Sequence, residues 1–297
     1  MRYYLFLLAS TLLMASGFVV SKMFLNNDVH PLSLVASRFT LAGLVAVVWL
    51  YIRGQLVVPK TIRDLLGVIL VGTLQTAVLF GTGFFAMTHL SAATLSLMTL
   101  TMPIWVTVLQ GVLDRQMPRR GQVAALVLGM VGVTLIVGSG VGSAGSGQLR
   151  WYGLAILGAI SWASATMVTK RAALRVTGWS LNGWQMLIGG LEIQLLMAFL
   201  GVPLIELVGG EDFLLFFWLV IPASIVSFGL WFAALQLGGA SVTSGYLFLI
   251  PLFTALMSVP LLDASFTLIQ MLGGVAVAMA VWLMSRSAGS GPNSPGD

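Results

Sequence analysis

Ser16-Gly17-Phe18-Val19-Val20-Ser21-Lys22 and Ser164-Ala165-Thr166-Met167-Val168-Thr169-Lys170 stand 148 positions apart, and each closes an apolar run on a lysine. The same shift, 147 in places, carries Ser33-Leu34 onto Ser180-Leu181 and Gly43-Leu44 onto Gly190-Leu191. Farther on, Gly81, Phe84, Ala86 and Ala92 fall on Gly229, Phe232, Ala234 and Ala240, Pro103 on Pro251, and Gln122 on Gln270. One coincidence in apolar sequence means little. A constant offset through five consecutive runs predicts an internal duplication.

Only 8% of the 297 residues are charged and 58% are hydrophobic, against about 25% charged in an average soluble domain. Mean hydropathy is +1.01. A hydrocarbon core of about 30 Å needs about 20 apolar residues per helix. Ten runs meet that length: 3–24, 32–51, 65–87, 91–112, 121–139, 152–171, 180–201, 212–234, 241–262 and 266–285. The expected fold is an all-α integral membrane protein of ten transmembrane helices. A first five-helix repeat spans 1–139, an outer loop 140–151, a second repeat 152–285, and a disordered cytoplasmic tail 286–297. Arg2 and the small residues Ala15–Gly17 imitate a signal peptide, but the apolar run is too long and nine more follow. It reads as the first helix.

Eleven of the 14 basic residues (Arg2, Arg53, Lys60, Arg63, Arg115, Arg119, Arg120, Lys170, Arg171, Arg175 and Arg286) fall in alternate loops, and only Arg150 falls in the others. This positive-inside pattern puts both termini in the cytoplasm. Five spans per half is an odd number, so the second half is inverted relative to the first. Inverted 5+5 repeats are an architecture of secondary transporters, with a substrate site near the midplane between the halves.

Several functions drop out on chemistry. With no Cys there is no disulfide, thiolate metal site or cysteine nucleophile. His30 and His89 are too few to build a haem site. Gly142 and Gly147 have phosphate-loop spacing, but Gln148-Leu149 follow where Lys-Ser/Thr should stand. No paired acids, Ser–His pair or metal ligands provide for an enzyme. No cofactor, metal or nucleic-acid partner is expected. The net charge of +5 belongs to membrane orientation.

The Lys-ended first span of each half and the segments Ala92-Ala93-Thr94…Pro103 and Ala240-Ser241-Val242-Thr243…Pro251 resemble the drug/metabolite transporter superfamily, its EamA-type branch above all. Within it the chain looks most like the YddG-like exporters of aromatic amino acids. The resemblance covers about residues 1–286. It departs where the family ends spans four and nine near a Gly-Glu pair: here Leu113-Asp114 and Leu262-Asp263 keep a shortened acid without its glycine. The resemblance implies a central cavity lined by spans one, three, four, six, eight and nine, with two and seven packed outside.

Candidate residues follow from the cost of burying polar groups in lipid. Glu192 is the one carboxylate deep in a span, on a polar stripe with Asn182, Gln185 and Gly189. It can couple transport to a proton or cation, or simply bond to a neighbouring helix. Arg38 and Lys22 can meet a substrate carboxylate or snorkel. Lys170 is expected at a helix C-terminus or the headgroups. Pro103 and Pro251 sit mid-span at equivalent positions and read as hinges. Trp162, amid Ala155, Ala159 and Ala163, reads as a cavity wall with an N–H to offer. Trp231, Phe80, Tyr246 and Met102 extend an aromatic and thioether lining, and Gln75, Thr99, Ser164 and Ser227 supply polar groups.

Such a lining suits a small amphiphile better than a phosphate, which needs several convergent cations. The expected function is therefore a secondary transporter, exporter or facilitator, of aromatic and other neutral amino acids in a bacterial inner membrane. It is expected to work as a monomer, by alternating access around the midplane cavity. The rival readings are a proton-coupled effluxer of drugs or organic cations and a channel-like pore.

Overall fold

A computed structural model describes residues 2–27, 29–87, 89, 95, 98–115, 117–137, 149–207, 209–262 and 267–289. Its helices are α1 (Arg2–Asn26), α2 (Pro31–Ile52), α3 (Ile62–Gly72 continuing through Thr73–Val78 into Leu79–Met87), α4 (Met102–Asp114) and α5 (Arg120–Val137), then α6 (Leu149–Arg171) and α7 (Gly178–Leu200). They are followed by α8 (Gly209–Val220 continuing through Ile221–Val226 into Ser227–Leu237), α9 (Ala240–Gly245, Tyr246–Phe248 and Leu249–Leu262) and α10 (Leu268–Gly289). Among the described residues, seven helices are long and apolar enough to cross a membrane, and Met102–Asp114, Arg120–Ile136 and Leu268–Met284 are shorter apolar helices. A helix is the natural state of such sequence, because it satisfies every backbone group where water is absent.

Two boundaries differ from expectation. Helix α6 begins at Leu149, inside the stretch 140–151 expected to be loop. Leu149, Arg150 and Trp151 lead directly into an apolar, alanine-rich run, so they start its first turn. Helix α10 continues to Gly289, so 286–289 of the expected tail is helical; once a helix is nucleated, extending it by one turn is cheap. The tight connections expected at 87–91 and 262–266, and the rest of the interrepeat loop, lie largely outside the described residues.

The 147–148 shift recurs in the packing. Helix α2 packs on its counterpart α7, and α5 on its counterpart α10. Other pairings exchange: α1 packs on α8 and α9, while α6 packs on α3 and α4. At the α2–α7 crossing, any side chain at Gly43 would strike the backbone of Leu187, and one at Gly190 would strike that of Thr40. At the α5–α10 crossing, a Cβ on either Gly132 or Gly273 would stand 2.7 Å from the other's carbonyl oxygen. Lipid offers no hydrophobic drive between helices, so such close approach of small residues supplies the association.

One end of the bundle is tied by polar contacts. Arg63 donates to the Ala172 carbonyl at 2.7 Å, Asp64 accepts from the Arg175 amide at 2.9 Å, and Arg171 pairs with Asp114. Lys170 donates from Nζ to the Leu235 carbonyl at 2.7 Å, the helix C-terminus expected for it. Tyr3 bonds Thr243 at 2.9 Å at the same end. Helix α3 thus starts where its counterpart α8 ends, and α1 starts where α6 ends. Ser33 and Ser180 repeat one device: Ser33 donates to the Pro203 carbonyl, and Ser180 accepts from the Val57 amide at 3.0 Å. Each ties the start of α2 or α7 to the chain that follows its counterpart.

Candidate functional site

Helices α3 and α8 each carry a π-helical turn, at Thr73–Val78 and Ile221–Val226, 148 residues apart. A π turn loosens the regular ladder and leaves carbonyls in need of donors. Neighbouring helices provide them. Ser161 on α6 donates to the Leu74 carbonyl at 2.7 Å. Asn182 on α7 donates to the Ile225 carbonyl at 3.0 Å. Arg38 on α2 donates from Nη2 to the Ala223 carbonyl at 2.9 Å and from Nε to Ser224 Oγ at 2.7 Å. Nothing in the sequence marked these turns as a pair, since Pro222 in one faces Leu74 in the other.

Around the turns the structure gathers a set of buried groups. Trp162 on α6 and Trp231 on α8 are 5% and 0% exposed, with ring centroids 6.0 Å apart. Neither indole nitrogen has a hydrogen-bond partner among the described residues. Gln75, 1% exposed within the α3 π turn, leaves both amide atoms equally unpartnered there. The Ser161–Leu74 bond, between residues adjacent to Trp162 and Gln75, shows that both lie at one crossing of α6 and α3. A second aromatic group centres on Phe39, whose ring is 4.6 Å from Phe80 and 6.2 Å from Phe228. Phe80 and Phe228 are again 148 apart. Orphan polar atoms in a buried aromatic setting cost free energy unless something else engages them.

The other candidate residues are placed as follows. Ser164 bonds back to the Ile160 carbonyl at 2.8 Å and Ser227 to the Ala223 carbonyl at 2.7 Å, the usual behaviour of hydroxyls in helices. Met102 is fully buried and Thr99 half-buried. Tyr246 is buried, on the wall of an open apolar groove with Tyr4 and Trp282. Lys22 is exposed. Arg38 is buried, and its partners are the α8 π turn and Ser21 Oγ, 3.5 Å from Nη1.

Glu192 is half-buried on α7, where its carboxylate accepts from Thr73 Oγ1 in the α3 π turn at 2.8 Å. Its stripe is otherwise internal, for Asn182 and Gln185 are fully buried. Gln185 accepts from Thr76 Oγ1 at 2.5 Å.

Pro103 occupies the first turn of α4, after a break at Leu100–Thr101 that Thr101 Oγ1 braces by donating to the Met98 carbonyl at 2.6 Å. Pro251 comes early in Leu249–Leu262, after the 3₁₀ turn Tyr246–Phe248. Pro103 thus starts α4 after a break, where its missing N–H costs nothing, whereas Pro251 lies within α9 just after the 3₁₀ turn. Pro260 lies inside the same helix segment as Pro251, and the sequence alone did not single it out.

The geometry accords with what the chain resembles. Residues 1–138 and 149–286 each match the family model described as the EamA-like transporter family. Protein PecM of Dickeya dadantii is 29% identical over 214 residues, 71% of this chain and 70% of that protein. A Salmonella typhimurium protein named as an uncharacterized inner membrane transporter, YicL, is 26% identical over 94% of this chain and 93% of its own length. One crystal structure shares the fold, with a TM-score of 0.77 at 18% identity over 94% of this chain and 97% of that one. The chain is thus a multi-pass membrane transporter, and it belongs to the EamA-like transporter family.

Proposed function

We propose that this chain carries small amphiphilic metabolites, aromatic and other neutral amino acids first, across the bacterial inner membrane by alternating access. In this reading ten helices cross the membrane, both termini are cytoplasmic, and the substrate sits between the inverted repeats. The relatives named as inner membrane transporters support the location. The single observation that carries the substrate class is the set of buried groups without partners among the described residues on α3, α6 and α8: the Trp162 and Trp231 indole N–H groups and the Gln75 amide. Two N–H donors suit a carboxylate, the Gln75 carbonyl oxygen suits an ammonium, and the rings of Phe80, Phe39 and the two tryptophans suit an aromatic side chain. A phosphate or sugar nucleotide would find no convergent cations here, because Arg38 is engaged by α8 and Lys22 is exposed.

Binding tests the assignment directly. Purified protein titrated with phenylalanine, tryptophan, threonine and lysine should show saturable quenching of tryptophan fluorescence, stronger for the aromatic pair and weakest for lysine. Replacing Trp162 by Phe should weaken it. Quenching by lysine alone, or by an organic cation in preference to every amino acid, would favour the effluxer reading instead.

A further inference from the structure

Arg38 and Gln185 are 147 residues apart on the counterpart helices α2 and α7, and each closes on a π turn of the opposite repeat. Arg38 of the first repeat engages Ser224 and Ala223 in the α8 turn. Gln185 of the second engages Thr76 in the α3 turn. Thr76 and Ser224 are themselves 148 apart. Both partner hydroxyls are fully or almost fully buried, as are Arg38 and Gln185. The two arrangements are therefore one device used twice, with different chemistry: a guanidinium on one side, a neutral amide on the other. The space around them differs to match. A methyl group at Gly17 would stand 3.2 Å from Arg38 Nη2 and 3.0 Å from Ala223 Cβ, whereas the counterpart of Gly17 is Ala165.

We propose that these contacts are a pair of unequal latches. Each holds the π turn of α3 or α8 to the opposite repeat, and each releases in turn as the carrier alternates. Charge-assisted hydrogen bonds are roughly twice as strong as neutral ones, so the Arg38–α8 latch is the stronger and biases the resting conformation. Arg38 is on this account a positioning residue for transport, acting through α8 and not through the substrate. The proposal rests on the alternating-access reading above. Its test needs no substrate, so failure to find an amino-acid flux would leave it standing or falling on its own.

The absence of cysteine lets nitroxide pairs be introduced cleanly. Lys60→Cys with Gln236→Cys reports the end where α3 starts and α8 finishes. Gly153→Cys with Gly210→Cys reports the opposite end, at positions where an added side chain meets open space. Pulsed spin–spin distance measurements then give the open and closed populations at each end. Arg38→Gln should shift the ratio of those populations by on the order of tenfold, the effect of losing a buried hydrogen bond from a charged group. Thr76→Val, which removes the partner of Gln185, should shift it in the opposite sense, because the two latches exchange under the repeat symmetry. Should Arg38→Gln not fold, Ser224→Ala removes the same Nε contact and should act in the same direction. In transport, these variants should alter the maximal rate and leave the substrate KM unchanged. Folded variants with unmoved distances, shifts of the same sign for both latches, or a raised KM with unmoved distances would overturn the proposal.

Discussion

The Arg38 guanidinium of α2 and Ser224 of α8 meet at 2.7 Å, joining the first repeat to the second at a point where α8 is not a regular helix. Their counterparts Gln185 and Thr76 also meet, with the donor reversed: Thr76 Oγ1 of α3 donates to the Gln185 amide oxygen of α7. The irregular turns are thus among the places where buried polar groups join the two halves. Gln75, Trp162 and Trp231 are buried beside them with polar atoms that have no partner among the described residues, and under the proposed function these groups engage the substrate.

Gln75→Leu should separate stability from activity. A buried amide with neither atom bonded is a standing cost of about 1–3 kcal/mol, and an apolar residue of similar volume removes it. We expect a higher melting temperature in detergent together with a marked loss of transport. Thermal unfolding and flux on the same preparation check this; a lower melting temperature would mean that the amide is held by partners in the apo protein.

The tryptophans should act on affinity. Trp162→Phe and Trp231→Phe keep most of the ring surface and delete one N–H, so the KM for phenylalanine should rise by about tenfold or more per site, the value of a hydrogen bond to a charged group. Initial rates over a substrate series measure it. Unchanged KM in both variants would place the substrate elsewhere.

Glu192→Gln should leave transport intact and its pH profile unchanged. The glutamine keeps an oxygen to accept from Thr73 Oγ1, the one hydrogen-bond partner of the Glu192 side chain among the described residues. Flux measured across the neutral range, with and without a pH gradient, decides the matter: a lost or shifted pH dependence would make Glu192 a coupling group.

The α5–α10 crossing should tolerate no side chain. Gly273→Val or Gly132→Val drives a Cβ to within 2.7 Å of a facing carbonyl oxygen, an overpacking that costs about 1–3 kcal/mol. Expression, monodispersity and melting temperature should all fall. Variants as stable as the parent would show that the two helices can separate freely.

Much of this was legible in the sequence, because the deciding signals are local or periodic. Apolar run length yields membrane helices, and the 147–148 offset yields two repeats that the packing of α2 on α7 and α5 on α10 reproduces. The alanine spacing around Trp162 foretold its close-packed setting, with Ala155, Ala159 and Ala163 all fully buried. Other features depend on tertiary partners that no local pattern encodes. The π turns at Thr73–Val78 and Ile221–Val226 have no common residue signature, and their carbonyls are satisfied from other helices. Arg38 could be seen as a buried cation, but not that it would spend its donors on α8. Pro103 and Pro251 were visible as a pair. That Pro103 follows a break and Pro251 a 3₁₀ turn depends on local geometry set around Thr101 and Tyr246–Phe248.

The central claim, a carrier that alternates around a site for amino acids, is tested most directly by counterflow in proteoliposomes of the purified protein. Uptake of labelled phenylalanine should saturate and should rise when unlabelled phenylalanine or tryptophan is present inside. Linear, unsaturable flux without trans-stimulation would contradict a carrier and make the protein a pore. No flux of any amino acid by folded protein would contradict the substrate class.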